Sequence, residues 1–430
     1  MSEPKPGLRQ RLHRAPLLSQ LGPGLITGAA DDDPSGIATY SQGGAQFGFN
    51  LLWTMLLTFP LMAAIQMVSA LIGRVTGRGL AYNMGQVMPR PLVLTLLALL
   101  FIANTVNVGA DVAAMGEAAK LVTGLNQHAF TIFFALLSLG LQLFIPYRKY
   151  ARLLMVLTFS LYAYVAIMFL LPLDWTAIGA GVIGLHPNLT EGAATTIVAI
   201  FGTTISPYLF FWQSAQEVEE VDQNEDEHPL IDQPREGPEA ILRIRIDTIV
   251  GMAISNLIAL AIMIATAATL HAHGVTNINT AGEAAQALKP IAGRFAFALF
   301  SLGIIGTGLL AIPVLAGATA YAVGEGRRWP VGLARKPKEA VAFYAVLALS
   351  AAIGIALNFT PINPISALYW SAVINGVLAV PVMVLLMFMA RRKDVMGRYV
   401  IDGPLYWLGW LSTAAMLLSV LAMGVGTFVQ

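Results

Sequence analysis

The sequence predicts an all-α protein that crosses a membrane many times, and three observations support this fold class. Of the 430 residues, 57% are hydrophobic and only 11% are charged, whereas soluble domains carry about 25% charged residues. The mean hydropathy of +0.69 agrees with that composition. The apolar residues are also grouped into stretches of the roughly 20 residues that a membrane-spanning helix needs.

Eleven stretches of the sequence are long and apolar enough to form such helices. They comprise residues of about 17–47, 50–72, 91–118, 127–146, 151–172, 191–216, 242–271, 292–324, 338–358, 364–390 and 404–428. The arrangement predicts a basic N-terminal arm at 1–16, a first set of five helices at 17–172, a second set at 191–390 and an eleventh helix at 404–428.

The basic residues are distributed unevenly between the two sides of this predicted bundle. With the N-terminus in the cytoplasm, all of the 25 Lys and Arg residues except Lys120, Lys289 and Arg294 fall on cytoplasmic segments, as the positive-inside rule requires. The sequence therefore predicts a cytoplasmic N-terminus and an external C-terminus, most simply in a bacterial inner membrane. On the cytoplasmic side, the acidic segment 217–240 is expected to be a solvated loop or a vestibule that attracts cations.

Several classes of function are disfavoured by the residues that the sequence lacks. It contains no cysteine, which excludes disulfides and thiolate metal sites. It contains only six histidines. No two histidines stand four residues apart, so the paired ligands of a membrane-embedded metalloenzyme are missing. His271 and His273 are expected to be loop residues. No nucleic-acid or cofactor motif is present, and we expect neither a cofactor nor an obligate protein partner beyond the lipid bilayer.

Three consecutive carboxylates stand inside the first apolar stretch, in "GAADDDPSG" at 28–36. A charged side chain at the centre of a bilayer costs on the order of 2.5–3.5 kcal/mol, so Asp31, Asp32 and Asp33 must face the protein interior, water or a bound cation. Pro34 removes a backbone donor and Gly36 relaxes the chain. The helix is therefore expected to unwind here and to leave backbone carbonyls free as ligands.

The sixth apolar stretch repeats this construction in "AIFGTTISPYLFFWQ" at 199–213, with Pro207 near its middle. The first helix of each predicted five-helix set is thus interrupted at about the same depth. Paired broken helices in corresponding positions of two halves indicate a transporter with its binding site at the bilayer midplane. Ordinary proline kinks would explain Pro207, but they would leave the three aspartates unexplained.

The segment "GPGLITGAADDDPSGIATYSQGGAQFGFNLLW" resembles the first-helix signature of the Nramp (natural resistance-associated macrophage protein) family of divalent metal transporters. "GRVTGRGLA", "GADVAAMGE" and "GTTISPYL" resemble further family motifs in order along the chain. The resemblance implies a LeuT-type inverted repeat of five plus five helices, with broken helices 1 and 6 and an added eleventh helix. It also implies alternating access around a metal site.

The family's metal-binding residues are only partly retained. The resemblance implies that Asp33 is the metal-binding aspartate and that the carbonyls of Ala30 and Thr203 are backbone ligands. The family's asparagine ligand is replaced here by Gly36, and its methionine by Ser206. The site then lacks the soft thioether ligand and consists of oxygen donors alone.

Such a site suits Mg²⁺ and Mn²⁺, because carboxylate, carbonyl, hydroxyl and water are the ligands that these ions prefer. The loss of bulk at Gly36 also predicts a widened site. Both substitutions resemble those of the Nramp-related magnesium transporter branch. The sequence therefore predicts a secondary transporter of Mg²⁺, with Mn²⁺ as a second substrate, that works by alternating access.

Proton coupling is expected to be weak or absent. The family's helix-six histidine is Tyr208 here, and tyrosine has an unperturbed pKa near 10; one of the two helix-three acids is Ala114. The other acid, Asp111, is retained and could relay a proton together with the aspartate group. Gln213 is a further candidate for the pore, and Asp31 and Asp32 are candidates for widening its negative field.

Four alternatives are weighed from the sequence. The first is a proton-coupled Mn²⁺/Fe²⁺ transporter of the ordinary Nramp type. The second is a LeuT-type carrier of an organic cation, since the aspartates argue against an anionic substrate. The third is a membrane enzyme, which the histidine content disfavours. The fourth is a metal sensor that does not transport, which is disfavoured because the short termini offer no output domain.

Overall fold

The computed structural model describes residues 22–145, 156–184, 192–224 and 227–428, and in this part of the chain the regular structure is entirely helical. The helices of the first half are α1 (Pro23–Asp31), α2 (Pro34–Phe47), α3 (Trp53–Thr76), α4 (Leu80–Val87), α5 (Arg90–Thr123), α6 (Gln127–Phe144), α7 (Tyr162–Leu170) and α8 (Trp175–Ile183). Those of the second half are α9 (Ala193–Thr204), α10 (Pro207–Gln223), α11 (Gly237–Thr269), α12 (Ala296–Arg327), α13 (Val341–Leu357), α14 (Pro364–Ala390) and α15 (Gly403–Phe428).

Each of the eleven predicted stretches overlaps at least one of these helices. Among the described residues, eight helical segments are long and apolar enough to cross a membrane, with α9 and α10 counted together. A ninth is formed if the segment Val156–Leu170 and α8, bent by 119°, are taken as one span. The helix α13 is shorter, and the first stretch is divided into α1 and α2. The predicted basic arm at 1–16 lies outside the described residues.

One predicted loop is partly wrong. The helix α10 continues to Gln223, and α11 begins at Gly237, so both ends of the segment 217–240 are helical. Glu217 is fully buried, and its carboxylate forms an ion pair with the Arg243 guanidinium of α11 at 2.5 Å. The acidic character of this segment therefore serves helix packing at its N-terminal end as well as solvation farther along.

The packing of the helices has the pattern of two equivalent sets. The half-helix α1 packs against α11, the second helix of the second set, and the half-helix α10 packs against α3, the second helix of the first set. Likewise α5 packs against α6 as α12 packs against α13. The helices α5 and α12, third in their sets, pack against each other at the centre.

Glycines allow α1 and α11 to approach until their backbones touch. A Cβ atom added to Gly28 would collide with the backbone of Gly251, and one added to Gly24 would lie 2.8 Å from the backbone nitrogen of Thr248. Small residues at helix interfaces in membranes permit such close approach. The position of α1, and with it the position of the first break, therefore depends on these glycines.

We expect Gly28→Ala to lower the thermal midpoint of the detergent-purified protein by several degrees, because overpacking of this kind costs about 1–3 kcal/mol. Gly43→Ala is the matched control in α2, since its new Cβ would lie 3.5 Å from the nearest atom, the Ile200 Cδ1. Equal midpoints for both variants would contradict this account of the α1–α11 contact.

Candidate metal site between two broken helices

The first break lies between α1 and α2 and consists of Asp32 and Asp33. Asp32 has φ −82° and ψ 45°, and Asp33 is extended at φ −66° and ψ 169°. A residue before proline is pushed out of the helical region by the proline ring, which explains why Asp33 is extended and Pro34 begins the next helix. The carboxylate of Asp33 then caps α2 by accepting a hydrogen bond of 2.7 Å from the Gly36 backbone nitrogen.

The Asp33 carboxylate is the best-supported anion of the site. Besides the Gly36 nitrogen, it accepts hydrogen bonds from the Ser35 hydroxyl at 2.6 Å, the Asn107 amide at 3.1 Å and the Tyr208 hydroxyl at 3.4 Å. Its side chain is fully buried. The donors come from α2, α5 and α10, so this one carboxylate joins the first break to the centre of the bundle and to the second break.

The second break repeats the first between α9 and α10. Ile205 has φ −117° and ψ 58°, Ser206 is extended at φ −82° and ψ 131°, and Pro207 begins α10. Ser206 therefore occupies the position that Asp33 has in the first break. Its hydroxyl does not cap α10 but donates back to the carbonyls of Gly202 and Thr203, at 2.6 and 2.9 Å. One hydroxyl has two acceptor lone pairs in addition to its proton, so Ser206 keeps the capacity to bind a cation.

The two predicted carbonyl ligands have the same origin. In an α-helix each carbonyl accepts from the nitrogen four residues later, and this residue is Pro34 for Ala30 and Pro207 for Thr203. Proline has no N–H, so neither carbonyl has its usual helical partner. Ala30 and Thr203 are both buried, and the ligand role of their carbonyls stays a prediction.

Asp31 and Asp32 do not face the same donors as Asp33. Both accept from the hydroxyl of Ser255 on α11, at 2.6 Å for Asp31 and 3.1 Å for Asp32. The second oxygen of Asp31 is buried without a hydrogen-bond partner. Among the described residues, no three Asp, Glu or His side chains converge to hold a metal ion. The three carboxylates of the motif therefore form no common cluster in this conformation.

The remaining predicted residues are placed in different ways. Tyr208 contacts Asp33 directly. Asp111 is fully buried on α5, and neither of its carboxylate oxygens has a hydrogen-bond partner. The Gln213 amide instead donates to the Thr248 hydroxyl at 2.9 Å and links α10 to α11, so in this conformation it serves packing. His271 and His273 contact the carbonyls of Ala45 and Thr269, and they form the two ends of a short 3₁₀ helix after α11 rather than part of an irregular loop as predicted.

The space at Gly36 is smaller than the sequence suggested. A Cβ atom added there would lie 3.2 Å from both Thr203 Oγ1 and Tyr40 Cε2 and 3.3 Å from the Asp31 carbonyl oxygen. Gly36 thus brings α2 close to α9, and the buried Tyr40 side chain lies in the adjoining volume. The expected widening of the site is not found at this position.

Sequence reasoning missed three polar residues of the site, namely Asn107, Ser255 and Ser371. Asn107 contacts Asp33 and accepts a hydrogen bond from the Ser371 hydroxyl of α14. Asn107 stands four residues before Asp111, on the same face of α5, and this spacing was an available signal. Ser255 and Ser371 lie in otherwise apolar helices, where a single serine carries no distinguishing pattern.

On the side predicted to be cytoplasmic, charged side chains connect the half-helices α1 and α10 to α11. The Asp247 carboxylate of α11 accepts from the backbone nitrogens of Gly24 and Leu25 at 2.6 and 3.1 Å, which ties down the N-terminus of α1. One turn away, Arg243 pairs with Glu217 and Glu220 of α10 at 2.5 and 3.2 Å. Both half-helices on this side are therefore anchored to α11.

On the opposite side a polar cavity of about 320 Å³ begins one turn beyond the first break. It lies between α2 and α14, and the side chains that line it include Ala38, Gln42, Asn277, Ser366 and Tyr369. The aspartates themselves remain buried, at 2% exposure or less. The structure is thus a closed state in which the polar cavity leads toward the break without exposing it.

The family model described as natural resistance-associated macrophage protein-like matches residues 24–426. The chain belongs to the Nramp family. Among the curated Nramp relatives, the divalent metal cation transporter MntH of Deinococcus radiodurans is 29% identical over 412 residues, which cover 92% of this chain and 87% of that protein. The protein of the same name from Yersinia pestis (strain Pestoides F) is 30% identical over 300 residues, which cover 68% and 69%.

Solved structures establish the fold of this Nramp protein. A crystal structure of the Eremococcus coleocola manganese transporter, in complex with an aromatic bis-isothiourea substituted compound, has a TM-score of 0.77 at 18% identity and covers 99% of this chain and 90% of that chain. Mhp1, a nucleobase-cation-symport-1 family transporter in a closed conformation, has a TM-score of 0.59 at 14% identity, with coverages of 95% and 93%. The predicted LeuT-type fold and the predicted family are confirmed, and the Nramp chain is a transporter rather than an enzyme.

We expect Asp247→Ala to loosen the N-terminus of α1, because two backbone nitrogens lose their acceptor. The absence of native cysteines allows a single Thr27→Cys probe on the buried face of α1, read by its labelling rate with a membrane-impermeant thiol reagent. The rate should rise several-fold in the Asp247→Ala background. It should stay unchanged with Asp232→Ala, an exposed carboxylate, and equal rates in both backgrounds would contradict the anchoring role.

Proposed function

We propose that this Nramp protein carries divalent cations across the membrane by alternating access, with Mg²⁺ and Mn²⁺ as its substrates and with weak or no coupling to protons. The single observation that supports the proposal most strongly is that the two breaks adjoin each other, since the Tyr208 hydroxyl beside the second break lies 3.4 Å from the Asp33 carboxylate of the first. The proposed donor set belongs to the residues of these breaks and their flanks. It combines the Asp33 carboxylate, the carbonyls of Ala30 and Thr203, and the Ser206 hydroxyl. The ion is the transported substrate, not a resident cofactor.

The chemistry of these donors favours hard cations. Each is an oxygen, and Mg²⁺ binds through one or two carboxylates while keeping several waters. A thioether would favour softer, later transition metals, and Ser206 stands where the family resemblance places that ligand. The preference for Mg²⁺ rests on the type of donor and not on the width of the site, because Tyr40 and Thr203 closely surround Gly36.

The proposal of weak proton coupling is supported by the partners of Asp33. Tyr208 contacts the carboxylate as a neutral hydroxyl donor, and Ala114 offers no titratable group. The membrane potential supplies about 2.3 kcal/mol per charge at 100 mV, and a divalent ion gains twice that amount. Inward transport of the cation therefore needs no proton gradient.

A proton-coupled Mn²⁺/Fe²⁺ transporter is the second candidate, and one observation favours it. Both oxygens of the buried Asp111 carboxylate lack hydrogen-bond partners, a situation that a bound proton would relieve. The organic-cation carrier has less support, because the closely packed surroundings of Gly36 leave little room for an organic substrate.

The proposed orientation follows the positive-inside rule, with the N-terminus in the cytoplasm of a bacterial cell and the C-terminus outside. The curated relatives are bacterial proteins. The polar cavity bounded by α2 and α14 would then face outward, and the charged contacts of Asp247 and Arg243 would close the cytoplasmic side.

The test is ion uptake into proteoliposomes that hold the purified protein, with internal pH recorded in parallel. We expect Mg²⁺ and Mn²⁺ to enter under an inside-negative potential without internal acidification. Asp33→Ala should abolish both fluxes, while Asp232→Ala should leave them unchanged. Uptake of Mn²⁺ alone, with acidification, would replace the proposal with the proton-coupled alternative.

Ser206→Met is expected to shift the preference toward softer ions. The variant exchanges a hydroxyl oxygen for a thioether at the second break, so the ratio of Mn²⁺ to Mg²⁺ uptake should rise by about tenfold, equivalent to ~1.4 kcal/mol. Ser214→Met provides a buried serine-to-methionine control on α10 that lies away from the break. A ratio unchanged in Ser206→Met would show that Ser206 does not contact the ion.

A further inference from the structure

Within the described ranges, Asn107 is the one residue whose side-chain amide donates a hydrogen bond to Asp33. Its amide nitrogen lies 3.1 Å from Asp33 Oδ2, and its amide oxygen accepts a hydrogen bond from Ser371. The side chain is fully buried on α5, and no part of the family resemblance places a ligand there. The backbone nitrogen of Gly36 binds the other oxygen of the same carboxylate, and the resemblance implies at Gly36 an amide oxygen that this chain lacks.

The separation between Asn107 and Asp33 matches the geometry of a shared cation. In an octahedral site with metal–oxygen distances of 2.0–2.1 Å, neighbouring ligand oxygens are about 3 Å apart. The terminal atom of Asn107 already lies at that distance from Asp33 Oδ2. An ion bound to this carboxylate oxygen could therefore contact both side chains after a rotation of the amide, without movement of either helix.

Rotation of the amide by about 180° exchanges its oxygen and nitrogen and keeps the contact with α14. The Ser371 hydroxyl lies 2.7 Å from the Leu368 carbonyl as well as beside Asn107, and it has one proton to donate. When the Ser371 hydroxyl donates its hydrogen bond to the Leu368 carbonyl, the serine oxygen can accept a hydrogen bond from the rotated amide nitrogen. Neither orientation of Asn107 leaves a buried polar atom without a partner on the Ser371 side.

We infer that Asn107 is a metal ligand that replaces the amide oxygen missing at Gly36. In the structure described here, its amide nitrogen donates a hydrogen bond to the Asp33 carboxylate. When a divalent cation displaces that hydrogen bond, the rotated amide oxygen coordinates the ion beside Asp33. The neutral amide adds a hard oxygen donor without further negative charge, as suits Mg²⁺ and Mn²⁺.

This inference rests on the proposed transport of a divalent ion at Asp33, so its test uses direct binding and not transport. Mn²⁺ binding to the full-length protein in detergent is measured by equilibrium dialysis for the wild type, Asn107→Leu and Asn107→Asp. Leucine has a similar size and no ligand atom, whereas aspartate keeps an oxygen and loses the amide donor. Asn104→Leu is the control, because Asn104 lies one turn away on α5 and donates to Leu315 and Thr319 of α12.

We expect Asn107→Leu to weaken Mn²⁺ binding at least tenfold, while Asn107→Asp and Asn104→Leu bind within about threefold of the wild type or more tightly. Equal weakening in Asn107→Leu and Asn107→Asp would overturn the ligand role, since both variants lose the donor to Asp33. Unchanged binding in Asn107→Leu would overturn it as well. Dialysis of the wild type against Mg²⁺, run in parallel, separates this inference from the proposed function. Because Mn²⁺ is common to both candidate functions, binding of Mn²⁺ without binding of Mg²⁺ would refute the proposed Mg²⁺ preference and leave the comparison of the variants valid.

Discussion

The buried carboxylate of Asp33 is the feature on which the arrangement of this protein depends most. At this depth no bulk water is available, so every polar group must find a partner within the protein. Asp33 meets this requirement through donors on three helices, and these donors also define where the helices lie. The backbone nitrogen of Gly36 sets the start of α2, Asn107 relates the break to α5, and Tyr208 relates it to α10.

The two proline breaks supply the backbone ligands of the proposed binding site. Each proline removes the backbone hydrogen-bond donor for a carbonyl one turn earlier, and the two carbonyls that lose this donor, those of Ala30 and Thr203, lie on the two interrupted helices. A site assembled from two half-helix ends changes whenever either half-helix moves. The anchoring of α1 and α10 to α11 by charged side chains is therefore a natural means of keeping the site closed on one side.

The departures from the family pattern are concentrated at the site and spare the scaffold. Gly24 and both prolines match the pattern that the resemblance implies, whereas the residues at Gly36, Ser206, Tyr208 and Ala114 differ from it. The structure shows which side chains surround the changed position Gly36. Gly36 does not open a void, because Tyr40 occupies the adjoining volume, and an amide is available from α5 instead of from the break itself.

The sequence by itself determined the number and order of the apolar helices, the two interruptions and the aspartate at the first of them. These features follow from local rules, namely the length of apolar stretches, the missing N–H of proline and the cost of a charge in a bilayer. The tertiary structure decided which carboxylate is supported by which donors. Asp31 and Asp32 share Ser255, Gln213 contacts Thr248, Glu217 pairs with Arg243 inside the predicted loop, and Asn107 reaches Asp33 from a distance of 74 residues along the chain. Such pairings depend on how helices far apart in sequence are rotated against each other, and no periodicity within a single helix encodes that rotation.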